Sequence, residues 1–188
     1  MDISSTIMTS SKEWWGPRIW RILHSLAELS DRSDCMFLWK GVLRHTADIL
    51  PCELCRTHFH ARIPSYHASI ALQRDLVRER IRDFLWSSHQ SVNEQHAKTG
   101  IPREKLVDEY GVREGYTRND ITQLVISLVD EIVGRFSSDN VLDRFRANIP
   151  VLWRREIMSL IHTLTVPEVQ GPTPSSGRRG RARPGRRM

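Results

Sequence analysis

No stretch of the 188-residue chain is apolar for the ~18 residues that a membrane-spanning helix needs, so no bilayer crossing is expected. Cysteine is scarce. Three residues, Cys35, Cys52 and Cys55, cannot build the dense disulfide framework that staples a small secreted domain. Met1 to Ser11 are polar and lack a hydrophobic centre, so no secretory signal is visible and the chain reads as soluble. Internal repeats and convincing strands are missing too. Without alternating strand and helix, a thioredoxin-like α/β reading of a cysteine pair fails, and the expected fold is all-α.

The net charge of +6 invites a nucleic-acid reading until its position is examined. Arg178, Arg179, Arg181, Arg183, Arg186 and Arg187 are six basic residues with no acid among them, and the other 22 basic residues balance 22 acidic ones. The body is neutral and the tail is basic. A Gly/Pro/Arg tail buries too little to order itself; anionic surfaces, nucleic acid included, are its natural partners, beside the plainer readings of a solvated tail or a targeting address.

Apolar residues at helical spacing predict a helix from Lys12 or Glu13 to about Ser30, with Trp20 and His24 as i, i+4 neighbours. A second is expected from Ser33 to Leu50, closed by Pro51. A third opens at Cys52 and is expected to stop at Pro64. A fourth is expected from about Ala68, carrying Leu72, Leu76, Ile81, Phe84 and Leu85 into His89 and ending at Gly100 and Pro102. Ile121 to Phe136 keep helical spacing behind a Thr117 cap with Asp120. A short helix at 139–146 and another after Pro150 complete the pattern. Cys35 reads as a small buried residue on a helix.

Two stretches carry chemistry. Pro51-Cys52-Glu53-Leu54-Cys55 places two sulfurs one turn apart at a helix start, where N–H groups and the helix dipole favour a thiolate. Such a pair can make and break a disulfide. About forty residues on, His89, Val92, Asn93 and His96 stand at i, i+3, i+4 and i+7, a polar-aromatic stripe whose buried groups need partners. A heteroaromatic cofactor would supply them. The rival is zinc on Cys52, Cys55, His58 and His60; against it, zinc sites usually separate the cysteine pair from histidines more than ~10 residues away, whereas these four share one expected helix.

The run Trp15-Gly16-x-x-x-Trp20-x-x-Leu23-His24-x-x-Ala27, then Pro51-Cys52-x-x-Cys55, then His89-x-x-Val92-Asn93 with Lys98, resembles the Erv/ALR family of FAD-linked sulfhydryl oxidases over residues 13–116. The resemblance implies four helices plus a short fifth holding FAD at the mouth of the bundle, usually in a homodimer. It puts Gly16, Trp20, His24, Cys55, His89, Val92, Asn93, His96 and Lys98 at the cofactor, with Trp20 and His24 packed on it and His89, Val92, Asn93 and Lys98 along its adenine, ribose and phosphates. Cys55 would abut the isoalloxazine and Cys52 would receive a substrate thiolate, with electrons leaving to O2 as H2O2.

Gln90, His96 and Leu50 depart from the family's usual asparagine, leucine and tyrosine. The stapling cysteines and a shuttle dithiol are missing, so electrons must come directly from thiol-containing substrate proteins or from a pair supplied in trans. Compact forms with added helices, here residues 117–165 between the bundle and the tail at 166–188, are similar to those encoded by large DNA viruses; such an origin would put the protein in host cytoplasm or virion. Residues 1–12 and the tail are expected to be disordered.

Overall fold

A computed structural model describes residues 12–72, 76–138, 142 and 146–166. Helices α1 (Lys12–Leu29), α2 (Cys35–Ile49), α3 (Glu53–Leu72) and α4 (Val77–Gln95) are followed by a 3-10 turn (Arg103–Lys105) and α5 (Leu106–Tyr110), then α6 (Arg118–Ser138) and α7 (Ile149–Thr165). The protein is all-α, and among the described residues β pairing is limited to one isolated bridge between Arg113 and Tyr116. No described helix is long and apolar enough to cross a membrane.

One core runs through all the long helices. From α1, Ile22, Leu23 and Leu26 are fully buried, and they share a hydrophobic cluster with Trp39 and Leu43 of α2, Ile81 and Leu85 of α4, Val125 and Ile132 of α6, and Trp153 and Ile157 of α7. Helix α1 lies against α4, α5 and α6, while α2 packs on α3 and, over its longest contact, on α7. The helices of residues 117–165 therefore bury their apolar stripes in the same core as the first four. Polar groups at this centre are paired: Trp153 Nε1 donates to Thr46 Oγ1 at 2.9 Å, Trp39 Nε1 to Ser30 Oγ at 2.9 Å, and Ser30 Oγ to the Leu26 carbonyl at 2.8 Å. A Cβ at Gly41 would meet the end of the Glu156 side chain of α7, which shows how closely the two helices lie there.

Several boundaries differ from expectation. Helix α3 does not stop at Pro64 but carries it inside and runs on to Leu72, so the start near Ala68 is corrected as well: α4 begins at Val77, and Leu72 belongs to α3. Proline in a helix interior costs ~3 kcal/mol. Continuing the helix past Pro64 buries Tyr66 in the register set by Phe59 and Ile63, and burial of one large side chain is worth ~1.5–3 kcal/mol, comparable to the local penalty.

The other end of α4 comes early, at Gln95, rather than at Gly100 and Pro102. Ala97 adopts a left-handed conformation (φ 51°), its N–H bonds the Glu94 carbonyl at 3.2 Å, and the Lys98 N–H reaches back to the Asn93 carbonyl at 2.9 Å. That is a Schellman stop with alanine where glycine is the usual occupant. Gly100 instead packs against the Gln90 amide, whose Nε2 donates to the Ile101 carbonyl at 2.8 Å, beside Trp86 Nε1 at 3.0 Å.

The Thr117 cap forms as expected. Its N–H and Oγ1 donate to Asp120 Oδ2 at 2.7 and 2.6 Å, the Asp120 N–H returns to Thr117 Oγ1 at 3.2 Å, and these bonds hold the Asp120 carboxyl below its ordinary pKa. Most of the helix expected at 139–146, and the expected disorder of residues 1–11 and of the arginine tail, lie outside the described residues.

Candidate active site

Leu50 leaves α2 in an extended conformation, and Pro51 then leads the chain into α3. Cys52 occupies the position just before the helix: its carbonyl accepts the first helical bond, from the Arg56 N–H at 2.9 Å, while its Sγ accepts from the Cys55 N–H at 3.2 Å. The sulfur does here what a serine or aspartate oxygen does at other helix starts. Cys52 and Cys55 are joined as a disulfide, with Cα atoms 5.2 Å apart.

One turn further along α3, Phe59 places its ring 6.2 Å from that of Trp20 on α1. Cys55 and Phe59 stand at i, i+4, so the dithiol and the aromatic contact share one face of the helix. Around Trp20 the rings accumulate. Trp20 stacks on His89 of α4 at 4.2 Å with planes 7° apart, and His24, one turn after Trp20, stacks on Tyr110 of α5 at 4.7 Å. His24 Nε2 and His89 Nδ1 are 3.2 Å apart, close enough for one imidazole to donate to the other.

That bond requires at least one neutral ring as acceptor, and burial keeps both neutral. Desolvation, with the neighbouring His89 second, lowers the His24 pKa to about 3, and desolvation lowers that of His89 to about 4. Near neutral pH the corner thus offers flat faces and uncharged imidazole nitrogens. Ser88 Oγ is buried beside it in sequence and has no hydrogen-bond partner.

The structure brings Trp20, His24 and His89 together. Gly16 lies one turn before Trp20, with open space where a Cβ would project. Val92 and Asn93 follow along α4 toward its exposed end, Val92 being 39% exposed, whereas His96 and Lys98 stand past the last helical residue and are exposed. The helical stripe therefore breaks at its final member, because the left-handed Ala97 turns the chain there. Phe59 and Tyr110 were missed by sequence reasoning; the i, i+4 relation of Phe59 to Cys55 was a usable signal, whereas nothing local marks Tyr110, which Arg21 covers at 5.3 Å while pairing with Glu109.

The four zinc donors of the rival reading part company: His60 Nε2 lies 2.9 Å from Asp48 Oδ1, His58 is exposed, and no metal-capable cluster occurs among the described residues. Cys35 is fully buried, donates to the Arg32 carbonyl at 2.8 Å, and has its thiol pKa raised, chiefly by that burial.

Among known proteins, the chain is similar to Sulfhydryl oxidase 1 of Arabidopsis thaliana, with 28% identity over 91 residues that make up 45% of this chain. The matched stretch spans 16% of that protein. No family model and no solved structure matches.

Proposed function

We propose that the protein is an FAD-dependent thiol oxidase that forms disulfides in substrate proteins, with Cys52 and Cys55 as its redox pair. The observation that carries this reading is a disulfide at the start of α3 whose helix delivers Phe59, one turn on, to a stack of Trp20, His24 and His89. The likeness to a sulfhydryl oxidase supports it from the sequence side.

The residues fit a flavin dinucleotide. Flat aromatic faces and uncharged, buried imidazoles suit a tricyclic ring with several heteroatoms, and Ser88 Oγ is a buried polar atom still lacking a partner. The site would be made of Trp20, His24 and His89 for the ring system, with Gly16, Val92, Asn93, His96 and Lys98 toward the nucleotide. Bound there, FAD supplies the two-electron acceptor and the reaction with O2 that yields H2O2.

The protein's own work is thiol–disulfide exchange. A substrate thiolate attacks Cys52 Sγ, the Cys52–Cys55 bond breaks, and Cys55 leaves as a thiolate. A second substrate thiolate attacks its partner sulfur in the mixed disulfide, the substrate becomes oxidised, and Cys52 leaves. The Cys55 N–H stabilises that departing charge, and a better leaving group speeds the step. One pair of electrons has then moved from two substrate thiols to the dithiol.

The purified protein is expected to be yellow, with a flavin absorbance band, and to consume oxygen when given a dithiol. Cys52→Ser and Cys55→Ser are each expected to abolish turnover in a folded protein. Colourless material that stays inert after FAD is added back, or full oxidase activity in either variant, would sink the reading. Assembly as a homodimer is part of the same proposal and is checked by sedimentation. Contact of the arginine tail with anionic partners is checked by salt-dependent nucleic-acid binding that vanishes when residues 178–188 are removed.

A further inference from the structure

We propose that Arg56 is a positioning residue for the dithiol, holding a cation ready for the Cys52 thiolate and making the disulfide a stronger oxidant than its helix end alone would. The inference rests on the thiol-oxidase reading of Cys52 and Cys55, though its test needs neither flavin nor oxygen.

Arg56 stands four residues after Cys52, and helical side chains lean back toward the turn that precedes them. By that rule its side chain leans toward the turn that holds Cys52 and Glu53. Its Nη1 is buried and has no hydrogen-bond partner, and no ion pair to Arg56 occurs among the described residues. A buried guanidinium N–H left unpaired is costly. The cost falls on the oxidised state, in which neither sulfur is charged.

Reduction changes that balance. Two electrons break the S–S bond; Cys52 becomes a thiolate, Cys55 takes up a proton, and a negative charge appears on the residue one helical turn before Arg56. An interaction present only in the reduced form raises the reduction potential, the route by which a stabilised reduced state makes a disulfide a strong oxidant.

The surrounding charges leave this task to Arg56. His24 and His89 are neutral near pH 7. Asp48, at the end of α2, is engaged by His60, and Glu53, in the same turn, is exposed. Arg146, from the stretch before α7, already donates to the Asp48 and Leu50 carbonyls at 3.3 and 3.1 Å. His58 is exposed.

The full-length protein, as purified, is equilibrated with reduced and oxidised glutathione, and the fraction of Cys52–Cys55 disulfide is read by mass. Arg56→Met is expected to shift that equilibrium toward the disulfide about tenfold, which corresponds to about 30 mV for a two-electron couple. In parallel, the pH at which reduced Cys52 is alkylated is expected to rise by about one unit; Cys35, buried and with a raised pKa, stays out of that range. Arg56→Lys is expected to retain most of both properties. An Arg56→Met protein with the wild-type equilibrium and alkylation profile, or an Arg56→Lys protein as impaired as Arg56→Met, would overturn the assignment. Should the wild-type protein prove flavin-free, the oxidase reading fails while this measurement still stands or falls by itself.

Discussion

The face between α2 and α7 and the corner where α1, α3, α4 and α5 meet treat polar groups in opposite ways. Along the first, Trp39 and Trp153 are completely buried and each indole N–H has a hydroxyl partner. At the second, Trp20 and His89 stay partly exposed and two histidines are forced neutral, while on the helices that form it Arg56 Nη1 of α3 and Ser88 Oγ of α4 are buried without partners. Buried unpaired groups are rare in folded proteins and gather where a ligand or a reacting charge completes them. One region secures the fold, and the other holds capacity in reserve.

Substitution of the two tryptophans breaks this contrast most directly. Trp153→Ala is expected to cost about 3–5 kcal/mol, with a further penalty for the orphaned Thr46 hydroxyl, and to lower the melting temperature sharply. Trp20→Ala is expected to cost at least about 1 kcal/mol less, because its site is only partly closed, while removing bound flavin and turnover. Calorimetry with flavin absorbance on the same samples checks both; equal destabilisation by the two changes would erase the distinction.

Acid sharpens the comparison next. Both histidines have folded-state pKa values far below the ordinary 6.5, so the unfolded chain binds more protons as the pH drops. Their contribution is fully present above about pH 6.5. It is lost as the pH falls through about 4, for His89, and then about 3, for His24. The expected loss is on the order of a few kcal/mol. Urea midpoints measured from pH 7 to 4 should fall for the wild type and flatten in a His24→Gln, His89→Gln variant.

Smaller effects belong to helix ends. Thr117→Ala removes the cap of α6 and is expected to cost about 1 kcal/mol, with oxidase activity unchanged. Ala97→Gly relieves the left-handed residue at the end of α4 and is expected to gain up to about 1 kcal/mol. Chemical denaturation with an unchanged m value reads each change.

Those ends also mark how far sequence reasoning reaches. Thr117 and Asp120 were legible because a cap is settled within four residues. Pro64 misled because its local penalty is real, and only burial beyond it, that of Tyr66, offsets it. Ala97 misled because alanine carries no turn signal, whereas Gly100 does. Its glycine is used for packing against Gln90 instead.

Helical periodicity, the placement of two sulfurs one turn apart and the neutrality of the chain outside its basic tail were determined by the residues themselves, since each depends on neighbours along the chain. Tertiary structure alone decided that His24 meets His89, that Tyr110 joins them, that α6 and α7 enter the common core, and that Arg56 is left with a buried unpaired N–H. These are consequences of which surfaces exclude water together, and desolvation is a property of packed surroundings that no local pattern records.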